Sequence, residues 1–212
     1  MAAKQIISRT VLFLIPLLTL MPDPKSRKQK TKTRKQHGGK ITDFNKEAVY
    51  KEHIYNPTTF RKLLDYAHQI KDTDMIYDPK ASGRAMYVIS ENDPIIKIIC
   101  NSELIESVRK ITNNPRLKPC LQIPIEYRKY VIGSYMDWHK DTQMLPNQLQ
   151  YECVITLENT SDSNTLLEYN SGIKTLTTNP NSLLVVRANG ISHKVTQLQS
   201  GFRTIFKLVF CE

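Results

Sequence analysis

Two hydrophobic periods divide the chain. In residues 43–71, Leu63, Leu64 and Ala67 fall at i, i+1 and i+4, one face of a helix, and the Asn56-Pro57 pair breaks that helical spacing upstream. A loop with Pro79 and Gly83 follows, and residues 84–90 (RAMYVIS) read as a strand. Residues 93–112 open on Asp-Pro and carry Ile95, Ile96, Ile98, Ile99, Leu104, Ile105, Val108 and Ile111. This predicts one or two amphipathic helices, with Ser102 and Glu106 near a start.

From residue 117 the period shortens. Runs rich in β-branched and aromatic residues alternate with turn residues: LQIPIEYRKYV, QYECVITLE, TLLEY, GIKTLTT, SLLVVRA, SHKVTQL and FRTIFKLVF. Asn170-Ser171-Gly172, Pro180-Asn181, Asn189-Gly190 and Ser200-Gly201 supply the turn chemistry between them. Six or seven short strands after a helical block predict an α+β domain over residues 41–212. Its core, about residues 117–212, is a double-stranded β-helix (jelly-roll), buttressed on one face by the N-terminal helices. No long-period repeat is visible.

The first forty residues follow other rules. Residues 10–21 (TVLFLIPLLTLM) form an apolar run of 12, interrupted by Pro16 and preceded by Lys4 and Arg9. A spanning helix needs roughly 20 apolar residues, so residues 1–21 read as a signal- or anchor-like segment. Eight basic residues lie between Lys25 and Lys40, so residues 22–40 read as a solvated, disordered basic linker. Residues 6–21 and this linker suit association with a membrane carrying anionic lipid. A signal-like core points to the endoplasmic reticulum, whereas the basic flank keeps the following domain cytosolic; the sequence leaves both open.

The formal charge of +10 suggests nucleic acid until it is divided. Residues 1–40 hold ten Lys or Arg and one acid, leaving 20 bases and 19 acids in the rest, so the folded part carries +1. That argues against a broad phosphate-tracking surface on the domain. Cys100, Cys120, Cys153 and Cys211 form no C-x-x-C, which argues against a zinc site; they read as buried free thiols.

The candidate chemistry surrounds the lone tryptophan. Tyr130-Val-Ile-Gly133-Ser-Tyr135-Met-Asp-Trp138-His139-Lys140-Asp141 places His139 and Asp141 at i and i+2, the same side of a strand. His193 follows Asp141 by 52 residues. Two histidines and one carboxylate on one face of a metal, the opposite positions open, is the ligand set of non-haem Fe(II) oxygenases. Arg203, ten residues after His193 and past the Ser200-Gly201 turn, offers a planar fork for a carboxylate.

This pattern resembles the 2-oxoglutarate/Fe(II) oxygenase superfamily. The surroundings look most like its prolyl 4-hydroxylase branch, with Tyr130, Gly133, His139 and Asp141 matching Y-x-x-G then H-x-D, and His193, Val195, Gly201 and Arg203 matching H-x-V then G-x-basic. The resemblance covers about residues 84–212, and strictly 127–210. It implies Fe(II) on His139, Asp141 and His193, and 2-oxoglutarate held by Arg203, Tyr130 and Thr156. It further implies O2 as oxidant, ascorbate as reductant, and a protein or peptide side chain, proline above all, as substrate. Two positions depart: the basic residue is Arg203 rather than the lysine of many collagen-type enzymes, and Ser163-Asn164-Thr165 replaces a Gly-Gly-x-Thr. The tail TRKQHGGK resembles tails in proteins of large DNA viruses, which would put the chain in an infected host cell. The competing readings are a nucleic-acid demethylase or hydroxylase of the same superfamily, a jelly-roll module without catalysis, and a membrane-tethered structural protein.

Overall fold

The computed structural model describes residues 48–212. The expectations for residues 1–21 and 22–40 lie outside the described residues, as do residues 43–47 of the first predicted helical stretch. In chain order the described elements are β1 (Val49–Glu52), α1 (Pro57–Ala67), a 3-10 turn (Asp72–Asp74), β2 (Ile76–Tyr77), β3 (Ser82–Val88), α2 (Ile95–Ile99), α3 (Ser102–Thr112), β4 (Lys118–Pro119), β5 (Glu126–His139), β6 (Gln150–Asn159), β7 (Thr165–Tyr169), β8 (Gly172–Leu176), β9 (Ser182–Arg187), β10 (Ser192–Val195) and β11 (Arg203–Cys211).

Local chemistry sets the helix ends. Asn56 caps α1 by accepting from the Thr59 N–H at 3.0 Å, with Pro57 in the first turn where its missing N–H costs nothing. Asn101 caps α3 in the same way through the Leu104 N–H at 3.1 Å, and Asn113 ends it in the left-handed region. Both helices turn an apolar stripe inward, Leu63 and Ala67 on α1, Leu104, Val108 and Ile111 on α3.

The strands run in the order β1-β9-β6-β11-β5-β10-β7-β8, every pair antiparallel, with β3 also pairing β5. β5 serves two sheets. Its first half pairs β11 and β3, and its last residues pair β10. Between the halves lies Gly133 at φ +87°, a conformation that side chains rarely adopt, and its N–H donates to the Leu198 carbonyl at 2.8 Å. The bend carries β5 from one sheet to the other, so the strands enclose a layer between them.

Strand alternation then sorts the side chains. On β11, Phe206, Leu208 and Phe210 pack with Cys153, Ile155 and Leu157 of β6 against the helices in the main core. The opposite faces meet between the sheets, where Tyr130, Val195, Leu198 and Ile205 form one cluster and Leu167, Leu184, Val186 and Ile191 another. The jelly-roll core with helices on one face therefore stands as expected.

Three element expectations need correction. Residues 49–52 form β1, not a helix, because they pair with Val185–Ser182 of β9 and pack a half-buried Tyr50 against the inter-sheet cluster. The strand expected over residues 121–131 begins at Glu126 and runs on to His139. Consequently Asp141 lies past the strand rather than on it. Among the described residues, no helix is long and apolar enough to cross a membrane, and all four cysteines are free.

Candidate metal centre

β5 and β10 bring two histidines into register, since His193 is the direct ladder partner of His139. Asp141 joins them by another route. Its carbonyl accepts from the Asn189 N–H at 2.8 Å, pinning the segment after β5 to the β9–β10 turn. One ligating atom from each of His139, Asp141 and His193 lies within 4.8 Å of the others. His139 Nε2 stands 3.9 Å from Asp141 Oδ1, and His193 Nε2 stands 3.8 Å from Asp141 Oδ2.

The far side of each ring is also specified. His139 Nδ1 lies 2.7 Å from the Asp137 carbonyl and His193 Nδ1 lies 3.3 Å from the Ile191 carbonyl. A carbonyl only accepts, so each Nδ1 carries a proton and each Nε2 is turned toward the cluster. Burial, and the neighbouring His139, push the His193 imidazole down to about 4, which keeps it neutral and able to ligate. Burial and the Glu152 carboxylate push the Asp141 carboxyl up. Asp141 Oδ2 is buried and has no hydrogen-bond partner. That oxygen and the Nε2 atoms of the two imidazoles face one gap.

An unmet charge lies nearby on β11. Arg203 is 3% exposed, and among the described residues no carboxylate is within ion-pair distance of it. Its Nη1 reaches Thr165 Oγ1 of β7 at 3.4 Å, and its Nε has no partner. Burial holds this guanidinium below its usual range, with Arg84 acting in the same direction and Tyr130 against it. A buried unpaired cation is costly, and an anion arriving from solution relieves that cost.

The fold brings Arg203 and Tyr130 together as ladder partners, with the guanidinium carbon 5.7 Å from the ring centroid. Tyr127, three residues before Tyr130, faces the helices and packs edge-on against Phe206. Thr156 is buried on β6 opposite Ile205, in the inward row with Glu152 and Val154. Trp138 is exposed, with Lys194 Nζ 5.2 Å from its ring centroid. A cleft of about 890 Å³ opens beside the ligands; its lining includes Lys140, Glu168, Tyr169, Asn189 and Ser192.

Several site residues were not foreseen. Thr165 ends the Ser163-Asn164-Thr165 departure, and only its contact with Arg203 marks it. Arg84 precedes the apolar run Ala85–Val88 of its strand, and Asp78 sits in a turn; the signal was an arginine where a strand should bury apolar groups. Lys207 and Glu152, paired at 3.5 Å, occupy inward positions of β11 and β6.

No family model and no curated protein matches the chain. Solved structures do. A prolyl-4-hydroxylase from Pseudomonas putida superposes with a TM-score of 0.64 at 11% identity, covering 80% of this chain and 95% of that one. A prolyl hydroxylase from Trichoplax adhaerens, in complex with a hypoxia inducible factor peptide fragment, gives 0.61 at 11%, covering 80% and 86%. A viral collagen prolyl hydroxylase from Paramecium Bursaria Chlorella virus-1, in its 2-oxoglutarate complex, gives 0.55 at 11%, covering 77% and 95%. At these identities the likeness is one of architecture: the chain has the fold of the 2-oxoglutarate/Fe(II) oxygenases, prolyl 4-hydroxylases among them.

Proposed function

We propose that the chain is an Fe(II)- and 2-oxoglutarate-dependent dioxygenase that hydroxylates a C–H bond of a protein or peptide side chain, proline first among the candidates. One observation carries the reading. Two imidazoles and a carboxyl group that turn ligating atoms on one gap share the fold with a buried guanidinium that has no carboxylate partner among the described residues. A divalent metal suits the first and a dicarboxylate the second. The donor set of two nitrogens and one oxygen suits Fe(II).

His139, Asp141 and His193 would hold the metal, with the two carbonyl contacts fixing the ring orientations. Arg203, with Thr165 beside it and Tyr130 across the ladder, would hold the far carboxylate of 2-oxoglutarate. Thr156 belongs to the same proposal through the resemblance. When bound, the iron supplies the oxidising chemistry, in which O2 and 2-oxoglutarate yield hydroxylated substrate, succinate and CO2. The chain's own work is to present three ligands from one side, anchor the co-substrate in a buried layer and exclude water. No residue is required to act as general acid or base.

The substrate class rests on the neighbours' character and on the cleft beside the ligands, whose lining is rich in hydrogen-bonding groups suited to a polypeptide. Substitution of Gly-Gly-x-Thr by Ser163-Asn164-Thr165 makes the target residue the point to test. The experiment incubates the full chain with Fe(II), ascorbate, 2-oxoglutarate, O2 and a peptide library with and without proline. Mass spectrometry then looks for addition of one oxygen atom. Oxygen added at proline, and lost in His139→Ala and Arg203→Ala, is the expected result. Succinate formed with no peptide modified would overturn the peptide assignment while keeping the chemistry.

A further inference from the structure

We infer that Arg84 is a positioning residue for the co-substrate pocket: it holds the Tyr130 hydroxyl from behind, so that the hydroxyl proton points toward the anion received by Arg203. The inference rests on the reading of Arg203 as a carboxylate anchor.

Three residues form a cross-strand row. Arg84 of β3 and Arg203 of β11 are both ladder partners of Tyr130 on β5. Their guanidinium carbons lie 5.3 Å and 5.7 Å from the Tyr130 ring centroid, so the ring stands between two cations. The two arginines are differently placed. Arg84, 1% exposed, spends Nε on Asp78 Oδ2 at 2.9 Å and Nη2 on the same oxygen. Its charge is met, so it is not a second anion receptor. What remains is Nη1, which donates to the Tyr130 oxygen at 2.6 Å and touches the Met136 sulfur at 3.3 Å.

The consequence follows from the donor inventory. Guanidinium N–H groups only donate, and a phenol has one proton and two lone pairs. Arg84 therefore occupies a lone pair of Tyr130 and leaves its proton to be given elsewhere. Among the described residues the Tyr130 hydroxyl has no acceptor of its own, and Arg203 across the row marks where a carboxylate would sit. Asp78 extends the chain of contacts backward. It accepts from the Lys80 N–H at 2.8 Å, and its own N–H donates to the Arg84 carbonyl at 2.9 Å. The β2–β3 turn thus orients Arg84, and Arg84 orients Tyr130.

The test titrates 2-oxoglutarate into the full chain loaded with Mn(II) in place of Fe(II), followed by calorimetry. The proteins are wild type, Arg84→Met, Arg84→Lys, Tyr130→Phe, the Arg84→Met/Tyr130→Phe double variant and Arg203→Met. If Arg84 acts through Tyr130, Arg84→Met and Tyr130→Phe each weaken binding about tenfold, as for a hydrogen bond to a charged group. The double variant is then no more than about twofold weaker than either, because the effects share one bond. Mn(II) affinity stays unchanged throughout, which a general loss of structure would not allow. Arg84→Lys keeps a cation beside Asp78 but cannot serve both partners; it is the fallback if Arg84→Met fails to fold, and the same loss is expected. Additive losses in the double variant, or a Tyr130→Phe protein that binds as wild type while Arg203→Met does not bind, overturns the inference and leaves the anchor intact. Failure of wild type to bind, or an Arg203→Met protein that binds as wild type, overturns the anchor reading itself.

Discussion

Arg84 and Arg203 share a row of the sheet and a residue type, and one carboxylate separates their properties. Asp78 neutralises Arg84, whereas Arg203 is buried beside Thr165 and an aromatic ring. An unpaired buried charge destabilises a fold that a ligand later stabilises. Arg203→Met should therefore make the ligand-free protein more stable, by about 1–3 kcal/mol, in urea unfolding, while losing all stabilisation by 2-oxoglutarate. A less stable Arg203→Met protein would mean that the guanidinium has a structural partner. Asp78 predicts the opposite sign and a pH dependence. Burial raises its carboxyl, but the Lys80 N–H and the Arg84 and Arg128 guanidinia outweigh burial and hold it below its usual range. A depressed folded value means that the contribution is full above the unfolded value of about 3.9 and is lost as pH falls through the folded one. Asp78→Asn should cost about 3–5 kcal/mol at neutral pH, and the gap to wild type should stay constant down to about pH 3.9 and narrow only below it, measured by urea unfolding from neutral pH to about 2. At this scale the H-x-D spacing and a distant histidine singled out three residues whose ligating atoms the fold gathers. Thr165, Arg84 and Asp78 escaped notice because their roles come from pairings across strands, which no local spacing records.

Among the elements, β5 carries most of the site. It lends Tyr130 to one sheet and His139 to the other, and the positive φ of Gly133 makes that division feasible. The β11 turn is equally constrained. A Cβ on Gly201, at φ +70°, would stand 2.3 Å from the Thr160 carbonyl oxygen, a backbone atom that cannot step aside. Gly201→Ala should cost about 3 kcal/mol, strain and overlap together, in thermal unfolding, and should weaken co-substrate binding because Arg203 is two residues on. The strands from β6 to β11 were legible because turn chemistry punctuates them and β-branched residues fill them. β1 was not. Its residues carry a helix-compatible spacing, and a partner strand more than a hundred residues away decides their conformation. β2 and β4, two residues each, have no periodicity to read. The end of β5 at His139 was invisible for a related reason: Asn189, far along the chain, draws the Asp141 segment away.

For the whole molecule, the charge divides the chain as its hydropathy does. Residues 1–40 carry nearly all the basicity, and residues 41–212 are close to neutral. Two buried polar atoms without a hydrogen-bond partner, Asp141 Oδ2 and Arg203 Nε, lie within the enclosed strands. Ligands that bind only the folded state stabilise it by mass action, about 2.7 kcal/mol at a hundredfold excess over the dissociation constant. Thermal unfolding of the full chain should accordingly shift upward with Mn(II), and upward again with 2-oxoglutarate only when metal is present. His139→Ala should abolish both shifts, and chelation should reverse them. The most direct measurement is succinate production from 2-oxoglutarate by the full chain under O2, with and without Fe(II). The account predicts iron-dependent succinate that disappears in His139→Ala and falls steeply in Arg203→Met. Folded wild-type protein that neither binds iron nor forms succinate would contradict it and leave a jelly-roll whose buried charges serve some other ligand.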